Sequence, residues 1–203
     1  MAGSLMVIFS LGGAQLVRRM RSRSVRCRTG FLPLEGPPEV MISPWPAAEE
    51  GTRGVVAGGE VRMLAAGGSE VASGPLAALA AAGGARAGDL QLLGFVAAQL
   101  WTWVGLPLAL SAPGVEVADR GGGVVDVTVP EGWPVERRSH RLHLDGEGRV
   151  VRHQDGPFVH HLSGHCDFGG VTVATRRRTT AADRVTVLWG DVVAAAVHPG
   201  VAR

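Results

Sequence analysis

Ser139–Arg178 reads SHRLHLDGEGRVVRHQDGPFVHHLSGHCDFGGVTVATRRR, and this stretch decides the fold. Leu142 and Leu144 stand before Asp145-Gly146-Glu147-Gly148, with Val150 and His153 after it. Alternating residues around a glycine-rich acidic turn are the strongest short-range signature of a β-hairpin. A second turn, Asp167-Phe168-Gly169-Gly170, opens onto Val171-Thr172-Val173-Ala174-Thr175, a run rich in β-branched side chains. Six of the seven histidines also fall here: His140, His143, His153, His160, His161 and His165.

The same grammar extends in both directions. Upstream, Val25, Cys27 and Thr29 alternate with arginine, and Glu39–Ser43 is a short strand closed by Pro44-Trp45-Pro46. Thr52–Ala57, Glu60–Leu64 and Ser69–Ser73 come next, separated by glycine pairs. Gly114–Asp119 and Val124–Val129 flank a Gly121-Gly122-Gly123 turn, and Val185–Trp189 and Val192–Ala194 come last. Short strands joined by glycine turns predict an antiparallel meander of about ten strands.

One segment breaks this pattern. Leu76–Ala87 is alanine-rich and predicted helical. Asp89 is suited to cap a second helix over Leu90–Val104, which Gly105 and Pro107 should end. Leu92, Leu93, Phe95, Val96, Leu100, Trp101, Trp103 and Val104 cover most of its wheel. A helix apolar on nearly all sides must be covered nearly all round, so it belongs in the concave face of the sheet. Fifteen residues are too few to cross a bilayer.

The chain has 203 residues, enough for one domain with its own core. Within it, residues 1–24 stand apart from a half-barrel over 25–203 with a helical insertion over 76–104. All twenty basic residues are arginine; lysine, tyrosine and asparagine are absent. The bias to Ala, Gly, Val and Arg reads as a GC-rich coding sequence of the actinobacterial kind. Net charge is +2, and Arg18, Arg19, Arg21, Arg23, Arg26 and Arg28 crowd into eleven residues. Without interleaved aromatics or a helix-turn-helix or zinc-finger spacing, this run reads as a solvated edge rather than a nucleic-acid surface.

Met1–Val17 carries no charge and is predicted to form a short helix on the core, of its own domain or of a second copy in a homodimer. The positive charge comes after the apolar run, the reverse of a secretory signal, so a cytoplasmic location is expected. The alternative is peripheral membrane association through residues 1–28, with the arginines on anionic headgroups. Cys27 and Cys166 belong to no metal or redox spacing and are expected as buried thiols.

Four stretches resemble bacterial proteins with a fold like the lipoprotein-localisation factor LolA. They are VMISPWPAAEEGTRGVVAGGEVRML (Val40–Leu64), FVAAQLWTWVGLPLALSAPGVEV (Phe95–Val117), LHLDGEGRVVRH (Leu142–His153) and HHLSGHCDFGGVTVATRRR (His160–Arg178). The resemblance runs from Val40 to the C-terminus. Where such proteins carry aromatics in the third stretch, this chain has Leu142, His143 and Leu144, and Ala174 stands where proline is usual. The resemblance implies a curved antiparallel half-barrel with helices in its open face, enclosing apolar space for lipophilic guests. It implies no shared catalytic mechanism.

Candidate sites come from the residues and this fold. Trp45, Phe95, Trp101, Trp103, Leu142, Leu144 and Arg176 are the candidates to line a pocket for a lipophilic small molecule. Trp101 and Trp103 lie about 200° apart on a regular helix and should serve different faces. Strand alternation puts Arg176 and Arg178 on one face and Arg177 on the other. The histidines read first as hydrogen-bonded structural residues. Metal binding needs ligand spacing that is missing, so neither metal nor cofactor is expected. The sharper alternative gives His143, His161 or His165 an acid–base or polarising role. On that alternative the protein is a cyclase-like pathway enzyme that folds a polyketide- or terpenoid-like substrate. Strand parity predicts that His161 and His165 share a face. There is no nucleophile elbow, P-loop or dinucleotide fingerprint.

Overall fold

The computed structural model describes residues 3–12, 25–32, 39–43, 51–76, 88–135, 137–181 and 186–199. Among these residues, thirteen strands form one antiparallel sheet. The first six are β1 (Gly3–Gly12), β2 (Val25–Leu32), β3 (Glu39–Ser43), β4 (Arg53–Ala57), β5 (Glu60–Leu64) and β6 (Glu70–Pro75). The other seven are β7 (Glu116–Gly121), β8 (Val124–Thr128), β9 (Ser139–Leu144), β10 (Val150–Asp155), β11 (Phe158–Asp167), β12 (Thr172–Thr180) and β13 (Thr186–Pro199). Their order is β6-β5-β4-β3-β2-β1-β13-β12-β11-β10-β9-β8-β7. Two meanders therefore run back to back, one outward from the middle and one inward to it. Among the described strands, β1 and β13 are the one pair of neighbours not consecutive in sequence. β6 and β7 are the edges of this sheet, so it is a half-barrel and not a closed one.

This topology explains the over-apolar helix. The chain leaves the sheet at the β6 edge and must re-enter at the opposite edge, β7. Helix α1 (Asp89–Leu100), a π-helical turn (Trp101–Gly105) and a short α2 (Leu106–Leu108) lie on that path. α1 packs on β3 to β6, and the π-turn reaches β12. Leu92, Leu93, Val96, Leu100, Trp101, Trp103, Val104 and Leu106 are all buried with Val40, Ile42, Val56, Val61, Val127, Leu142 and Leu162 of the sheet. Gly54 lets Leu93 press onto the β4 backbone: a Cβ at that glycine would overlap the leucine side chain.

Several expectations need correction. The N-terminal segment is not a helix on the core. It is strand β1, in the middle of the sheet, with Leu5 opposite both Phe31 and Val197. An uncharged β-branched and aromatic run of this length satisfies its backbone equally well as a central strand. The sheet has thirteen strands rather than about ten, and β1 is one of those not expected. Thr186–Ala194 holds no turn, since β13 runs continuously through Gly190-Asp191 and bulges opposite Ile8 and Phe9. Gly190 is there for space: a Cβ would sit 2.7 Å from the Trp103 ring.

At the helix, Gly88 is the N-cap and Asp89 the first helical residue, where its charge faces the positive end of the helix dipole. Pro107 does not end the helical segment but opens α2, where a missing N–H is tolerated. The span Asp89–Leu108 is long and apolar enough by composition to cross a membrane, yet 78% of its 18-residue apolar window is buried inside the fold. Cys166 is exposed rather than buried, and is a free thiol. The Leu76–Ala87 helix lies outside the described residues except for buried Leu76, and so do Arg18, Arg19, Arg21 and Arg23.

Candidate functional site

Two features occupy the concave face beyond α1. The first is a partly open pocket of about 270 Å³. The π-turn, α2 and the adjoining Leu110 supply one wall, with Trp103, Val104, Pro107 and Leu108. Strands β9 to β12 supply the other, with Leu144, Val150, Leu162, His165, Val173 and Ala174. Glu147, Gly148 and Arg149 of the β9–β10 turn line it as well. Arg149 is held there by Asp145 at 2.8 Å and Glu147 at 2.9 Å. The backbone N–H of Arg149, helped by its side chain and by the Glu147 N–H, holds the Asp145 carboxyl below its usual range.

Trp103 is fixed by a 2.9 Å hydrogen bond from its Nε1 to the Ala174 carbonyl. Trp101 and Trp103 both belong to the π-turn, and each is 2% exposed. A π-turn adds a residue to the turn and rotates the chain beyond it. Trp101 packs edge-on against Trp133, ring centroids 5.4 Å apart, and covers Gly105.

The second feature is a ladder of buried polar side chains running across four strands. His140, His153, His160, Arg177 and Thr179 are each at most 3% exposed. His140 Nδ1 lies 3.0 Å from His153 Nε2, and the His153 and His160 rings are 4.8 Å apart. His160 Nδ1 meets the Thr179 hydroxyl at 2.9 Å and Arg177 Nη2 at 2.8 Å. Arg177 then crosses to the helix. Its Nη2 donates to Gln99 Oε1 at 2.5 Å, and its Nη1 to the Gln99 carbonyl and, at 3.4 Å, to Thr102 Oγ1. Buried Asp155, 3.3 Å from Arg137, closes the other end beside His140.

Burial dominates the electrostatics of the ladder. Desolvation pushes all three histidines below the ordinary imidazole range, and Arg177 adds to the effect at His153 and His160. Asp155 partly opposes it at His140. All three are therefore neutral at pH 7. Arg177 can only donate, so His160 Nδ1 accepts from it and the ring proton sits on Nε2.

The candidate residues separate cleanly in space. Trp103, Leu144 and His165 line the pocket. His165 Nε2 donates to the Val150 carbonyl at 3.0 Å. Trp101 and Leu142 are buried in the core away from the pocket, and Phe95 packs half-buried against that core from α1. Trp45 lies outside the described residues. Arg176 is exposed on the outer face, opposite Ser163 and Asp191; the inward arginine is Arg177. His161 is also outward and exposed, so it does not share a face with His165. Gly164, at φ +65°, stands between them, and alternation fails there. His143 is half-buried away from the pocket, and desolvation with Arg152 and Arg141 lowers its pKa. Among the described residues, no group of side chains is arranged to hold a metal.

Sequence reasoning missed the ladder as a unit. A signal was present: His140 shares parity with Leu142, and His160 with Leu162. A face that buries those leucines must bury those histidines.

No protein-family model matches the chain, and no curated protein is similar to it in sequence. Solved structures are similar in fold. A LolA superfamily protein from Nitrosomonas europaea superposes with a TM-score of 0.51 at 12% identity, over 96% of this chain and 85% of the other. A domain named for outer-membrane lipoprotein sorting, from Vibrio parahaemolyticus, gives 0.54 at 10% identity, over 98% and 87%. The chain has a LolA-like fold. At such identities the likeness concerns the path of the backbone and not the chemistry of the site.

Proposed function

We propose that the protein binds a lipophilic small molecule without catalysis, in the pocket between the π-turn and strands β9 to β12. The observation that carries this is the pocket's wall: Trp103, Leu108, Leu110, Leu144, Leu162 and Val173 line open space, together with the polar Glu147, Arg149, His165 and Thr172. Ligand pockets of roughly 300–1,000 Å³ hold drug-sized molecules. At about 270 Å³ this one suits a single slender chain or a compact ring system. Fold relatives named for lipoprotein sorting lend the reading plausibility at the level of fold. The cyclase-like alternative rests on His165 alone, because His143 and His161 do not line the pocket. A cytoplasmic location belongs to the same proposal, supported by the charge order around Arg18–Arg28.

The test uses N-phenyl-1-naphthylamine, an uncharged apolar fluorophore, titrated into the purified protein. Binding is expected, and Leu144→Trp, which fills the pocket, is expected to weaken it at least about tenfold. His161→Ala on the outer face serves as the control and should bind like the parent. Absence of binding, or equal affinity in Leu144→Trp, would overturn the reading.

A further inference from the structure

We propose that the buried histidine ladder is an acid-operated latch: protonation of His140, His153 and His160 frees Arg177 from the end of α1 and loosens the pocket wall formed by Trp103 and Val104. As a control on ligand release this rests on the binding reading above, but the latch itself does not.

The bond between His160 and Arg177 is the moving part. His160 Nδ1 accepts from Arg177 Nη2 at 2.8 Å. Only a neutral imidazole has a lone pair for this; in the imidazolium both nitrogens are donors. Protonation therefore turns an acceptor into a donor facing a donor, and places two cations side by side in a buried site. Arg177 also binds the Gln99 carbonyl and side chain, next to the π-turn. Whatever displaces the guanidinium releases the helix at the point where it becomes the pocket wall.

The neighbours set the order of events. On β10, Asp155 favours charge at His140, and Arg137 sits beyond it. His153 faces His140 and Arg177, and both disfavour charge on it. His160 faces Arg177 of β12, His153, His140 and, from the opposite side of its own strand, His161. From the helix come only the neutral groups of Gln99 and Thr102. Solvent protons enter first at His140 and last at His160. With rings 4.8 to 5.0 Å apart, each charge raises the free energy of the next in the closed state. The open state exposes all three, so opening takes up as many as three protons together.

Amide hydrogen exchange of the full chain, corrected for the intrinsic pH dependence of exchange, reads the latch between about pH 7.5 and 4.5. Below about pH 6 the opening constant of the amides in 89–105 should rise by roughly a hundred- to a thousandfold per pH unit, corresponding to two to three protons. Amides of β1 and β13 should remain better protected than those of 89–105 throughout that range. His160→Gln retains an acceptor for Arg177 but cannot titrate, and should lower that slope by about one proton, or tenfold per pH unit. His153→Phe should do the same. A wild-type slope below one proton, unchanged slopes in both variants, or β1 and β13 protection no greater than that of 89–105 would overturn the latch. N-phenyl-1-naphthylamine titrated at each pH tests the coupling: release in step with α1 opening is expected. If the fluorophore binds at no pH while the exchange result holds, the binding reading fails and the latch stands.

Discussion

Gly105 and Gly190 show how single residues admit the tryptophans. Gly105 ends the π-turn directly beneath the Trp101 ring, where any Cβ would overlap it. Gly190 gives the Trp103 ring its space against β13. Neither has a positive φ, so both are glycine for volume rather than conformation. Overfilling such a site forces side chains off their rotamers and costs about 1–3 kcal/mol. Gly105→Ala should therefore lower the urea midpoint by that amount of stability, with the denaturant slope unchanged. An alanine variant as stable as the parent would mean that the Trp101 ring has room to move. The arginine triplet shows a residue-scale ambiguity of another kind. Arg176, Arg177 and Arg178 are chemically alike, and alternation divides them without saying which member faces in.

At the scale of elements, β1 matters most. It joins the two meanders, pairing with β2 on one side and β13 on the other. Its Val7 and Leu11 are fully buried. A chain beginning at Met20 loses this strand. It would leave two long rows of unpaired backbone groups in the middle of the sheet, each a template for aggregation. Expression of that truncation should give insoluble or unfolded protein, seen as loss of the β-sheet circular dichroism signal. Recovery of a soluble protein with a sharp thermal transition would show that β2 and β13 close the gap themselves. For the same reason the truncation cannot report on membrane association. Charge reversal at Arg18 and Arg19 is the cleaner probe for that question.

For the whole molecule, the ladder predicts how stability depends on pH. Unfolded histidines titrate near 6.5, whereas His140, His153 and His160 are held lower in the fold. Their contribution is fully present above about pH 6.5 and is lost progressively below it, because the unfolded chain binds protons that the fold refuses. Each such proton is worth about 1.4 kcal/mol per pH unit. Urea unfolding between about pH 7.5 and 5 should show a steep fall in stability that His153→Phe makes shallower. A flat profile would mean that the histidines are not buried as a group. The surface behaves differently. Asp126, hydrogen-bonded by Arg141 and Arg120, has its pKa lowered to about 2. Its contribution is present above the usual carboxylate range and disappears only as pH falls towards 2, well below the histidine window.

The sequence by itself determined the strands, the hairpins and the need to bury α1. These depend on local order: a glycine turn between alternating runs, or an apolar wheel, means the same thing in any context. Glu39–Ser43, Glu60–Leu64 and the hairpin around Asp145 are strands and turn as read. Tertiary structure alone decided the rest. Gly3–Gly12 is apolar enough for helix or strand, and only the waiting edges of β2 and β13 select the strand. The tryptophan pair falls in a π-turn that no spacing announces. A strand of period two also has two phases, and where both carry polar residues the pattern cannot choose between them. Arg177 rather than Arg176 turned inward because Gln99 and His160 were there to receive it. Partners brought together from three distant segments made burial of that charge tolerable, and no local reading of the chain contains them.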